Sequence, residues 1–271
     1  MLFDSHTHMN NNGLNDYQRK RIAEEIEASD VNYVADVGFD LESSVIAAKH
    51  AEKYPWCYAA VGFHPHDAKK MDETALEMIR ALAKKPKVKA IGEMGLDFFR
   101  DLSPRNVQRE CFRKQIRLAN ELKMPIVVHS RDADQEVLDI LREEQAFSNE
   151  RISWFPKIKE TPDARVLLHC YSGNKDVAKQ LVKLGATISI AGPITYKNAR
   201  KGIEVVEAIP IERLLIETDA PYLTPEPFRG KRNKVPYVEY TAKKIAEIKK
   251  MTYEEVARIT CENAKRFYGI E

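Results

Sequence analysis

Six of the seven histidines in this 271-residue chain stand directly after, or at the end of, a short apolar run. Imidazole titrates near neutral pH and is the commonest nitrogen ligand for metals, so this placement points to chemistry. His6-Thr-His8 follows the first run. Alternate residues of a strand point the same way, so both rings can reach one ion. His64 and His66 follow the third run, His129 closes Pro-Ile-Val-Val-His, and His169 closes Val-Leu-Leu-His; only His50 lies within a presumed helix. Two carboxylates share this placement: Glu93 in Ala-Ile-Gly-Glu-Met-Gly-Leu-Asp and Asp219 in Glu-Thr-Asp-Ala-Pro. Each residue alone also fits an ordinary role: a core-edge histidine, an ion pair for Glu93, a helix cap for Asp219. Together, His6, His8, His129 and His169 with Glu93 and Asp219 offer more donors than the roughly three ligands of one open catalytic zinc. They suit two divalent ions about 3.5–4 Å apart, with Glu93, midway along the series, as the bridge. Cys170 is the one cysteine beside these groups, and alternation sends it to the opposite side from His169. The ligands are therefore nitrogen and oxygen, compatible with zinc, manganese, magnesium, cobalt or nickel.

Such a site needs elements that bring distant histidines to one place. Eight β-branched runs supply candidate strands: Leu2–Phe3, Val31–Val37, Tyr58–Gly62, Val88–Ile91, Ile126–Val128, Val166–Leu168, Ala186–Ile190 and Leu214–Ile216. Amphipathic helical patterns lie between them. The clearest opens at Ser103-Pro104, read as a cap residue followed by proline at the first helical position, and stops before Pro125. A last helix opens with Thr252-x-x-Glu255, the form of a capping box. Eight strands alternating with helices over about 250 residues predict a (β/α)8 TIM barrel, whose strand C-termini open on one mouth. An open doubly wound sheet would want a glycine-rich turn after the first strand, where this chain has Ser-His-Thr-His. No linker or compositional shift divides the chain, so residues 1–271 read as one domain. The polar stretch Phe147–Asp163, with two prolines, reads as an excursion on the barrel rim with no assigned role.

Composition narrows the function classes. Lys plus Arg total 43 and Asp plus Glu 41, so bulk charge gives no argument for a nucleic-acid coat protein. Eleven glycines and thirteen prolines exclude collagen-like chains. No run of about eighteen apolar residues exists, and the N-terminal MLFDSHTHMN lacks a signal-peptide core. Four scattered cysteines signal neither a zinc ribbon nor a disulfide framework, so the expected compartment is the cytoplasm. A local basic run, Arg229-Gly-Lys231-Arg232-Asn-Lys234, follows the eighth strand. It is either a solvated face or a phosphate-steering patch. Phe98, Phe99, Tyr171, Tyr222 and Phe228 are candidates, by position only, for the aromatics on which bases would stack.

Asp4-Ser-His6-Thr-His8, Gly62-Phe-His64-Pro-His66, Glu93-Met-Gly-Leu-Asp97, His129-Ser-Arg-Asp-Ala133, His169-Cys-Tyr-Ser-Gly173 and Glu217-Thr-Asp219-Ala-Pro221 closely resemble the TatD-like metal-dependent deoxyribonucleases. Gln108, Phe112, Gln115, Ala119, Asn233 and Asn263-Ala264 match as well, so the resemblance runs from Met1 to Tyr268. The family is a TIM-barrel branch of the amidohydrolase superfamily. The resemblance implies a first ion on His6, His8 and Asp219, a second on His129 and His169, and Glu93 bridging both. It also implies cleavage of DNA ends, single-stranded or 3′, with no membrane or obligate protein partner. Asp219 would be the general base and His64 a phosphate donor, with Arg131, Arg229, Lys231 and Arg232 as further substrate contacts. Arg131 has a rival role in an ion pair with Asp132 or Asp134, and His66 a structural hydrogen bond. The rival activity is hydrolysis of an ester, lactone or aminoacyl-RNA linkage, since one barrel serves many substrates. A non-catalytic scaffold would have lost ligands, and here all six are present.

Overall fold

A computed structural model describes residues 1–271. Eight parallel strands follow one another around the sheet in chain order: β1 Leu2–Thr7, β2 Val31–Val37, β3 Cys57–Val61, β4 Val88–Asp97, β5 Ile126–Arg131, β6 Val166–Leu168, β7 Ala186–Ile190 and β8 Leu214–Ile216. The intervening and closing helices are α1 Asp16–Glu27, α2 Leu41–Lys53, α3 Glu73–Ala83, α4 Arg105–Glu121, α5 Asp134–Glu143, α6 Asn149–Ser153, α7 Lys175–Lys183, α8 Arg200–Ala208, α9 Val238–Lys249 and α10 Tyr253–Tyr268. This is the (β/α)8 barrel that the run count predicts. The seam between β8 and β1 lacks a regular ladder. Ser5 Oγ donates to Ile216 O (2.9 Å), His8 N to Ala220 O (2.8 Å) and Asp219 N to His6 O (2.9 Å), closing it instead.

Strand alternation splits the core in two. Leu2, Val34, Val61, Ile91, Val128 and Leu168 pack outward under the helices. Phe3, Ala35, Val37, Ala60, Ala90, Val127, Leu167 and Leu215 fill the lumen, which Phe267 and Tyr268 of α10 close from the strand N-terminal end. Beyond the apolar layer, the inward rows continue into polar residues. Val127 leads to His129 and Arg131, Leu167 to His169, and Leu215 to Glu217 and Asp219. In β1 and β4 the register shifts, between Asp4 and Thr7 and between Ile91 and Met94, and re-aims the His6–His8 and Glu93 segments. Gly95 (φ +142°) allows the closest approach, since a Cβ there would stand 1.9 Å from His129 O.

Three sequence expectations shift. β1 runs to Thr7 and β4 to Asp97, well beyond their apolar runs, because buried site residues continue both strands. Ser103 does not cap α4: Pro104 occupies the cap position, and Ser103 Oγ donates to His66 O (2.8 Å). The Phe147–Asp163 stretch precedes a strand, so it lies beneath the barrel, opposite the mouth. There the fully buried Arg151 donates to Asn120 Oδ1 (2.7 Å), Met124 O (2.8 Å) and Ala164 O (2.9 Å). The capping box Thr252–Glu255 forms as expected.

Candidate metal centre

The barrel gathers all six proposed ligands at the C-terminal ends of its strands. His6 Nε2 and His8 Nε2 face each other at 3.3 Å. His6 Nε2 lies 3.3 Å from Glu93 Oε2, and His8 Nε2 lies 3.3 Å from Asp219 Oδ1. On the other side, Glu93 Oε1 meets His169 Nε2 at 2.6 Å and His129 Nδ1 at 3.0 Å. The two oxygens of one carboxylate thus address two different pairs of imidazoles. All six donors sit in a largely dry pocket, where unpaired charge is costly; Glu93 is only 2% exposed.

Outer hydrogen bonds decide which nitrogen faces the centre. His8 Nδ1–H donates to Val37 O (2.8 Å), His169 Nδ1–H to Glu217 Oε1 (3.2 Å) and His129 Nε2–H to Asp97 Oδ2 (3.2 Å). Each leaves its other nitrogen aimed inward, a lone pair once that nitrogen gives up its proton, the arrangement that orients metal-binding histidines. Two Nε2 atoms at 3.3 Å cannot both present lone pairs to each other without a cation or a shared proton between them. The residues present therefore fit a divalent metal. His64 differs: its Nδ1 accepts the backbone N–H of His66 (3.0 Å), so the neutral ring carries its proton on Nε2, 3.4 Å from Glu93 Oε1. Burial keeps His64 well below its ordinary pKa, hence neutral. It is placed to donate rather than to bind an ion, although it stands close enough to Glu93 and His129 to complete a donor triplet.

The remaining predicted residues sort clearly. His66 Nε2 bonds Asp97 Oδ2 (2.8 Å), the structural role expected, and His50 lies outside the mouth, paired with Asp36 (2.7 Å). Arg131 forms no ion pair with Asp132 or Asp134; Asp134 instead accepts from Ser130, and the Arg131 guanidinium lies over Phe99. Arg229, Lys231 and Arg232 are exposed, on the loop after β8, and none has a carboxylate partner. The left-handed backbone of Cys170 (φ 44°) breaks the alternation, and burial, reinforced by nearby Glu217, Asp219 and Glu93, pushes its thiol up.

Sequence reasoning missed several groups that hold the ligands. Glu217 is fully buried and bonds both His169 and Ser189; its signal was a carboxylate at a strand end, two residues before Asp219. Asp97 serves His129 and His66 together. Burial would raise Asp97, but those two bonds hold it below the usual carboxylate range. Gln115 and Gln108 of α4 act as backbone surrogates. Gln115 Oε1 accepts from Phe63 N (2.8 Å) and Gln108 Oε1 from Asp97 N (2.9 Å), fixing the ends of β3 and β4. Asn233 Nδ2 donates to Thr218 O (2.8 Å), pinning the Asp219 turn.

A hydrolase barrel with a nitrogen- and oxygen-lined metal pocket at its strand ends is what the fold and the site define. The profile of the TatD related DNase family matches residues 3–269, and the chain belongs to that family. It is 46% identical over 270 residues, covering 100% of both chains, to the uncharacterized metal-dependent hydrolase YabD of Bacillus subtilis. It is 36% identical over 251 residues, 90% of each chain, to the 3′-5′ ssDNA/RNA exonuclease TatD of Escherichia fergusonii. The crystal structure of YJJV, a TatD homologue from Escherichia coli K12, superposes with a TM-score of 0.87 at 25% identity, covering 100% of this chain and 98% of that one. The protein is accordingly a metal-dependent hydrolase. No helix is long and apolar enough to cross a membrane.

The electrostatics predict how metal and protons compete. Burial alone would lower His8, but the Asp219 carboxylate bonded to it, with Glu93 behind, pushes it up to about 9 in the metal-free protein. Burial likewise opposes charge on His169, yet Glu93 and Glu217 raise it well above its ordinary value. Both rings are protonated at neutral pH and must lose those protons to bind metal. Metal affinity therefore falls as pH drops below about 9, and binding near pH 7.5 releases protons. Calorimetry in buffers of different ionisation enthalpy measures this release; a heat independent of buffer would contradict it.

Proposed function

We propose that this hydrolase is a two-metal phosphodiesterase that removes nucleotides from the 3′ ends of single-stranded DNA in the cytoplasm. The observation that carries the two-metal reading is Glu93, whose oxygens face separate imidazole pairs. His6, His8 and Asp219 would hold the first ion, His129 and His169 the second, with Glu93 shared. The donor set contains no thiol and suits zinc, manganese, magnesium, cobalt or nickel. Bound, such a pair lowers the pKa of a water toward neutrality and neutralises charge developing on a phosphoryl group.

The chain's own residues do the rest. Burial would raise Asp219, but its bond from His8 holds it below its ordinary value, so it is ionised and able to accept a proton at Oδ1. That proton can then pass to the leaving oxygen. His64 Nε2–H is aimed into the same space and can donate to a phosphate oxygen. Arg131, Arg229, Lys231 and Arg232 surround the opening without carboxylate partners, leaving their charge for a polyanion. The activity in the name of the Escherichia fergusonii relative supports the same class.

The test is a substrate panel on metal-reconstituted protein. End-labelled single-stranded DNA, RNA and duplex DNA are compared with simple esters and lactones. The expected result is shortening of single strands from the 3′ end. Turnover of an ester or lactone with every nucleic acid left intact would replace this reading.

A further inference from the structure

Arginines lie over aromatic rings on three parts of this protein. On the helical flank, Arg105 and Arg109 lie over Phe98, and each is tied to a carboxylate, Asp101 and Glu136 respectively. At the mouth, Arg131 Cζ lies 4.0 Å from the centre of the Phe99 ring, and Arg229 Cζ lies 4.3 Å from that of Tyr196. Neither of these arginines has a carboxylate partner or a side-chain hydrogen bond. Beneath the barrel, Arg151 lies over Trp154 and Phe155 and Arg165 over Phe155, and Arg165 too lacks a carboxylate partner, so what sets the mouth pairs apart is their place beside the candidate metal centre.

Their positions add a direction. Arg131 follows His129 on the same inward row of β5 and pairs across with Asp97 of β4, so it rises above the second imidazole pair. Phe99 stands two residues beyond Asp97 and is 61% exposed, a large apolar ring left in water beside a polar mouth. Arg229 and Tyr196 come from the loops after β8 and β7, on the Asp219 side. Tyr196 Oη donates to Thr224 O (2.9 Å), which ties those two loops together and steadies the ring. Ring and guanidinium planes are the surfaces on which unpaired bases stack, while the guanidinium edge remains free for phosphate.

We infer that Phe99–Arg131 and Tyr196–Arg229 are two nucleotide grips, one on each side of the metal centre, that hold a single strand across the mouth by stacking its bases. The inference rests on the phosphodiesterase reading above and adds the residues that select single strands over small diesters. A paired duplex cannot offer its base faces to either grip, so the grips act only on unstacked nucleotides.

The test compares a fluorescent single-stranded decamer with bis(p-nitrophenyl) phosphate, a diester without bases, on the metal-loaded enzyme. Phe99→Ala and Tyr196→Ala are each expected to raise KM for the decamer about tenfold with little change in kcat, the size of one lost base stack. The ratio of decamer to small-diester kcat/KM falls by the same factor, and Phe99→Trp restores it. Across a length series, the gain from dinucleotide to decamer flattens in the double variant. Wild-type KM for the decamer in both alanine variants overturns the grips. So does an equal loss on both substrates, which places the residues at the reacting phosphate instead. If wild type cleaves neither substrate, the phosphodiesterase reading itself fails and takes the grips with it.

Discussion

Asp219→Asn should leave the barrel folded and cut phosphodiester hydrolysis by at least about 10²-fold, toward 10⁴-fold, the range that a positioned general base supplies. The amide matches the carboxylate in size and keeps an oxygen donor, so packing at the mouth is preserved. It loses the negative charge that His8 Nε2 faces at 3.3 Å and the capacity to take a proton. Because the same residue is a proposed ligand, metal content is measured in the same sample. Retained metal with lost activity assigns the proton-accepting role. Retained metal with near wild-type rates removes it.

Glu93→Gln should be more damaging still. Groups that merely orient a metal ligand are typically worth about 10–100-fold in affinity, and a carboxylate shared between two ions exceeds that. Burial would raise Glu93, yet the histidines around it, His169 foremost, hold it well below the usual carboxylate range. A neutral amide there leaves His129 and His169 with no central anion. The expected result is loss of bound metal, measured by elemental analysis after gel filtration, together with loss of hydrolysis. Wild-type stoichiometry in this variant would remove Glu93 from the bridging position.

Much of this was legible beforehand because barrel geometry turns sequence position into spatial position. A histidine that ends an apolar run must lie at the mouth, which is why His129 and His169 could be placed from Val-Val-His and Leu-Leu-His alone. The six proposed ligands were chosen this way, and the fold brings them together. What stayed hidden depends on departures from alternation and on contacts between remote segments. The register shift in β1 carries no compositional mark, and Gly92 at the shift in β4 looks like the end of an apolar run, so both strands read as ending several residues early. The left-handed backbone at Cys170 is likewise something that period-two reasoning cannot foresee. Glu217 and Asp97 were read past because a carboxylate that orients a histidine looks, in sequence, like any other polar residue at a strand end. For Arg131 the sequence offered a substrate contact or an ion pair with Asp132 or Asp134; the ion pair does not form, and the ring beneath the guanidinium lies on the loop after the adjacent strand, which no local pattern marks.

The polar stretch from Phe147 to Asp163 looks in sequence like an ornament that could be trimmed. Arg151 within it is the only partner shown for the Met124 and Ala164 carbonyls it reaches, and Arg213 donates to Thr161 and Pro162 from the other side of the same floor. Deleting the stretch would strand those acceptors in a dry interior, each at a cost of about 1–3 kcal/mol. The loop tip from Arg229 to Arg232, at the opposite end, is exposed and can be recoloured with far less at stake for folding. Inheritance can thus act on the two ends independently. Endurance to heat is set beneath the barrel, while the diet of the enzyme drifts at its mouth without reopening the question of whether the chain folds.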